Sequence, residues 1–117
     1  MNESLEKLQA IRREMDCIEA ADENLYKLKA FITQSIALIR SSSVISAEAR
    51  EKYAKDLEYE LTHYLEETYQ SAPNKRGRQL AFDQARNNAL LWVKGAIHTI
   101  VNARLKARPR VSHRVAA

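Results

Sequence analysis

The chain has 117 residues, 45% hydrophobic and 29% charged, with 19 Lys/Arg against 15 Asp/Glu for a formal net charge of +4. That length predicts one domain, and the balance is that of an ordinary folded soluble chain. No apolar run approaches the roughly 18 residues of a membrane span, and a single cysteine, Cys17, excludes an internal disulfide.

The charge is unevenly placed. Residues 1–72 hold nine Lys/Arg against fourteen Asp/Glu, a balance of −5, and residues 73–117 hold ten against one, a balance of +9. A basic C-terminal third on an acidic body predicts an anionic partner or a neighbouring copy's acidic half. The opening MNESLEKLQAIRREMD is acidic and polar, unlike a secretory signal. With one cysteine, the expected setting is reducing and cytoplasmic.

In chain order, the first segment runs from about Ser4 to Arg40. Leu5, Leu8, Ile11, Met15, Ile18, Leu25, Leu28, Ile32, Ile36 and Ile39 recur in steps of three and four, with an interruption at AADEN, 20–24. An unbroken helix of that span would be about 55 Å long. It must therefore bend near 20–24 or project towards a partner chain. SSSV, 41–44, reads as a connector, and Ser46 as the N-cap of a second helix reaching about Gln70. Its expected inward stripe is Ala49, Tyr53, Leu57, Leu61, Tyr64 or Leu65, and Thr68. A third helix is predicted from about Lys75 to Ala107, ended by Pro109. Ala81, Ala85 and Ala89 lie four apart on it. Gly95 costs about 1 kcal/mol against alanine in mid-helix, so a close neighbour is expected there. The fold class is all-α: a long or bent N-terminal helix, then an antiparallel helical hairpin. One helical domain covers 1–108, as an N-terminal segment 1–45 and a hairpin 46–108. A disordered basic tail, 109–117, follows.

Chemistry-bearing patterns are sparse. His63, His98 and His113 are scattered, with His63 and His98 able to meet only across the hairpin. No phosphate loop, nucleophile elbow or metal-ligand spacing is present, so neither catalysis nor a metal nor a cofactor is expected. The acidic run DLEYELTHYLEE, 56–67, reads as a solvated face. Trp92, among apolar neighbours, reads as core. The connector SAPNKRGRQLAF, 71–82, is more informative. Lys75, Arg76 and Arg78 crowd a helix start, where acids are favoured, against local helix stability. Unpaired N–H groups at that end suit an anion. Tyr69, one turn before, is the candidate to stack on a base. Arg104, in RLKARPR, is expected to support from the hairpin or from another subunit. The bland alternative is a basic loop salt-bridged to Glu66 and Glu67.

ALLWVKGAIH, 89–98, adds a resemblance. Ala89, Leu90, Leu91 and Trp92, then Ala96 and Ile97, with the turn residues Pro73, Arg76, Gly77 and Arg78, make residues 55–104 resemble the helical hairpin of phage anti-CBASS and anti-Thoeris nucleotide sponges. Asn87–Asn88 stand where that family has an acidic pair, and residues 1–45 have no counterpart. The resemblance implies a non-catalytic, oligomeric phage anti-defence protein that sequesters a cyclic nucleotide. Two other readings stay open: a nucleic-acid-binding helical protein, and a protein-interaction inhibitor of a host defence complex.

Overall fold

The computed structural model describes residues 2–107, nearly all of them helical. The expected stop at Pro109 and the tail 109–117 lie outside the described residues. Among the described residues four helices dominate: α1 (Asn2–Cys17), α2 (Leu25–Arg40), α3 (Ala47–Tyr59) and α4 (Lys75–Ala107). A π-helical segment (Glu60–Thr68) and a last α turn (Tyr69–Ser71) carry α3 on without a break. No strand occurs among the described residues. None of the described helices is long and apolar enough to cross a membrane.

The first segment takes the bent alternative. α1 ends at Cys17 and the chain turns through a short 3-10 stretch, Asp22–Asn24, before α2. No glycine or proline makes this break; side chains hold it. The Asn24 amide donates to the Glu19 carbonyl at 3.0 Å. From α4, Arg86 donates to the Ile18 carbonyl at 2.8 Å and Gln79 reaches the Ala20 carbonyl at 3.5 Å. Just past the end of α1, the long side chains of α4 thus supply partners for carbonyls of the turn.

The apolar stripes predicted from spacing meet in one core. Leu5, Leu8, Ile11 and Met15 of α1 bury against Leu28, Ile32, Ile36 and Ile39 of α2 and Phe82, Ala85, Ala89, Val93, Ala96 and Ile100 of α4. Leu80 and Leu105 of α4 stand 59% and 49% exposed. Their 3.6-period positions fall opposite the alanine face. α3 pairs with α4 in reversed order: the Tyr53 hydroxyl meets that of Thr99 at 3.1 Å, while Glu60 meets Asn88 at 2.9 Å. The Tyr53 ring also explains Gly95, where a Cβ would lie 3.2 Å from ring carbon Cε1. The loss of helix propensity at Gly95 thus admits a tyrosine ring against the backbone. Ser46 caps α3, accepting from the Ala49 N–H at 3.2 Å. The radius of gyration is 16.9 Å, against roughly 13 Å for a compact chain of this size, as a 33-residue helix of about 50 Å requires.

The π segment corrects the inward stripe of α3. Steps of three, five and four place Leu57, Glu60, Leu65 and Tyr69 in the core. The Thr68 hydroxyl donates five residues back, to the His63 carbonyl at 2.8 Å. A π turn takes up more residues than an α turn, so the inward position moves on from Thr68 to Tyr69. Glu60, read from sequence as part of a solvated face, is 4% exposed.

Candidate functional site: a basic furrow between α1 and α4

Of the five residues singled out from sequence, Tyr69 and Arg78 meet on one carboxylate, that of Asp22, with Lys75 near enough to act on it, while Arg104 lies far away. At the connector, Asn74 caps α4, its side-chain oxygen accepting from the Gly77 N–H at 2.9 Å. Arg78 turns to the α1–α2 junction, where Nε and Nη2 donate to the two oxygens of Asp22 at 3.0 and 3.2 Å. The Tyr69 hydroxyl donates to the same carboxylate. The Arg78 guanidinium first, and the Tyr69 hydroxyl second, hold the Asp22 carboxyl below its usual range. Burial and the neighbouring Asp22 push Tyr69 up to about 12. Asp22 thus supplies, from another element, the acid that the start of α4 lacks.

This arrangement removes the stacking role expected of Tyr69. The residue is 5% exposed, so its ring belongs to the core. The bases of the connector do not pair with Glu66 or Glu67; Arg78 pairs with Asp22, and Glu67 lies 3.6 Å from His63. Lys75 and Arg76 are exposed. Arg104 is 28 residues from Arg76 along one helix, about 42 Å at 1.5 Å per residue. It lines a different hollow, with Ser4, Ser42 and Ile100. The histidines also separate: His63 stacks on Tyr59 at 4.9 Å, while His98 faces α1. Among the described residues no group of three or more His, Cys, Asp or Glu is placed to hold a metal ion.

A cluster that the sequence did not reveal lies along the α1–α4 seam. Arg12, Arg13 and Gln9 of α1 face Lys94, Ile97, His98 and Val101 of α4 across an open hollow of about 400 Å³. Its lining has no carboxylate. Among the described residues, Arg12, Arg13 and Lys94 make no ion pair within 4 Å. The two helices run in opposite directions here, since Ile18 meets Arg86 and Ser4 meets Arg104. Cations 81 and 82 residues apart in sequence, Arg13 and Arg12 from Lys94, therefore converge. No single stretch signals this, because Arg12 and Arg13 stand in the acidic half. The one available clue was the i, i+4 spacing of Lys94 and His98 on the outer face of the third helix.

Such a furrow is open along its length and offers positive charge with an apolar floor of Ile97 and Val101. Of its seven lining residues only His98 is aromatic, so it can hold phosphates but offers little face for stacking bases. Comparison with known proteins finds no matching family model, no matching curated protein and no matching solved structure.

Proposed function

We propose that this protein binds the phosphate backbone of a nucleic acid along the α1–α4 furrow, without catalysis. One observation carries the reading: Arg12, Arg13, Lys94 and His98 line one carboxylate-free, open trough between two long helices. A free cation facing water attracts phosphates and releases counterions from the polymer when it binds. An open trough suits a polymer better than an enclosed small molecule. Because the trough has few stacking surfaces, the expected binding is weakly dependent on sequence. Further bases follow along α4 and beyond it in the sequence, at Arg104, Lys106, Arg108 and Arg110.

The nucleotide-sponge reading implied by the hairpin resemblance asks for something different: cations and a free aromatic ring around one hollow. Arg78 is held by Asp22 and the Tyr69 ring is buried, which weakens that reading at the connector.

Fluorescence anisotropy with short DNA and RNA tests the proposal. With three or four phosphates neutralised, affinity is expected to fall about twentyfold to a hundredfold between roughly 50 and 200 mM salt. Binding that is insensitive to salt, or that is confined to cyclic di- or trinucleotides, would overturn it.

A further inference from the structure

The furrow holds one group whose charge is not fixed. Arginine and lysine keep their charge through neutral pH, whereas histidine ordinarily changes its charge between about pH 5 and 8. His98 lines the same trough as Arg12, Arg13 and Lys94. Lys94 stands one turn before it on the same exposed face of α4, and Arg12, Arg13 and Gln9 line the opposite side, on α1.

We propose that His98 makes binding in the furrow proton-dependent: the protonated ring takes a further phosphate of the strand, which the neutral ring does not. The inference rests on the nucleic-acid reading above and concerns regulation of that same site. A contrast between two histidines carries it. His63 lies 3.6 Å from Glu67 and stacks on Tyr59 at 4.9 Å, so an acid is at hand with or without a ligand. His98 makes no ion pair within 4 Å among the described residues. The charged groups that line its hollow are Arg12 and Arg13 from α1 and Lys94 from α4, all of them cations, and no residue of α2 or α3 takes part in the lining. Glu6 and Asp16, three residues before Gln9 and three after Arg13, are exposed, stand outside the lining and pair with none of these cations within 4 Å. An ion partner for a protonated ring at this position therefore has to come from a ligand.

A phosphate beside the ring favours the imidazolium, because a nearby opposite charge stabilises the charged form. Linkage makes the effect reciprocal: what helps the ring take up a proton helps the protonated protein hold the phosphate. The bound state then carries more protons than the free state, so affinity rises as pH falls. The imidazolium also donates from both ring nitrogens, where the neutral ring donates from one. Charge and the second donor thus arrive together at the edge of a trough that already holds three cations.

The test uses the full chain and hydroxyl-ended, single-stranded oligonucleotides carrying a pH-insensitive dye; their internal phosphodiesters keep one charge throughout. At fixed salt, affinity is expected to be about threefold to tenfold tighter at about pH 5.5 than at about pH 8. The slope of log affinity against log salt should steepen by about 0.7 at the lower pH, as one more phosphate is neutralised. His98→Gln should remove both changes. His98→Lys, which fixes the charge, should bind at the higher pH about as tightly as the parent does at the lower one and show no pH response. His63→Gln and Glu60→Gln, the latter at the carboxyl that burial pushes up, should respond to pH as the parent does. Equal affinity and equal salt slope at both values overturn the proton-dependent inference and leave the furrow standing. A pH response that survives His98→Gln, or that disappears in His63→Gln or Glu60→Gln, overturns the assignment to His98. Failure of the parent to bind at either pH overturns the furrow and this inference with it.

Discussion

The connector at the start of α4 and the furrow between α1 and α4 are both basic, but their cations differ in what surrounds them. At the connector, Arg78 meets a bidentate carboxylate and a tyrosine hydroxyl, so its charge serves the joint between the α1–α2 turn and α4. In the furrow, Arg12, Arg13 and Lys94 face one another across a trough lined by no acid. Like charges brought together without compensation raise the energy of the free protein. A ligand of opposite sign would relieve it. The density of bases in a sequence therefore says less about a site than whether the fold brings an acid to them.

The largest expected effect tests the furrow itself. Reversing Arg12, Arg13 and Lys94 to glutamate together should lower affinity for DNA or RNA by about a hundredfold or more, and flatten its salt dependence. All three lie outside the buried core, so the thermal midpoint should stay near that of the parent. Anisotropy and circular dichroism on one sample check both. Retained affinity would move the site away from the furrow.

The complementary change is at the connector. Arg78→Ala should lower the thermal midpoint by a few degrees and change nucleic-acid affinity by less than about twofold. Asp22→Asn should also lower the midpoint at neutral pH, with a defined pH dependence. Because the folded carboxyl lies below its ordinary value, its stabilisation is fully present above the unfolded value of about 3.9 and is lost as pH falls through the folded one. The gap between parent and Asp22→Asn should therefore be constant at neutral pH and close in acid. A large affinity loss in Arg78→Ala, with stability unchanged, would reverse the roles assigned to the two regions.

How much of this was legible depended on the range of each signal. The stripes of α1 and α2, the cap at Ser46 and the span of α4 follow from local spacing and were readable. The role of Gly95 was anticipated in kind, although Tyr53 as the neighbour was not. Tyr69 was misassigned for a local reason: nothing in ELTHYLEET announces a π turn, and that turn moves the inward position on by one residue. Arg78 was misread for a distant one, since Asp22 lies 56 residues away. The furrow was hidden by a sorting of charge along the chain, which counted Arg12 and Arg13 with the acids around them. Pairings across the bundle decide which charges remain available, and one sequence carries no direct record of them.

Glu60 sharpens the comparison within α3 and α4, and should give the smallest effect. It is a second acid drawn inward, with the opposite sign from Asp22. Burial pushes its carboxyl up, only partly countered by the Asn88 amide, the Trp92 indole and His63; nearby Asp56 adds to the rise. The compensation is incomplete, because the buried Trp92 N–H makes no hydrogen bond within normal geometry, although its pull on the carboxylate is felt. A carboxyl raised on folding keeps a proton that the unfolded chain has released. Its favourable contribution is thus complete below the unfolded value of about 4.3 and is lost as pH rises through the folded one. Glu60→Gln keeps an acceptor for Asn88 and removes the charge. It should raise the thermal midpoint slightly at pH 7 and leave it unchanged in acid, where the parent carboxyl is already neutral. Asp22→Asn and Glu60→Gln should therefore move stability in opposite directions at neutral pH and both converge on the parent in acid. If Glu60→Gln is instead destabilising at pH 7, the ionised carboxylate is held by the α3–α4 seam as firmly as Asp22 is by the connector, and burial is not what governs it.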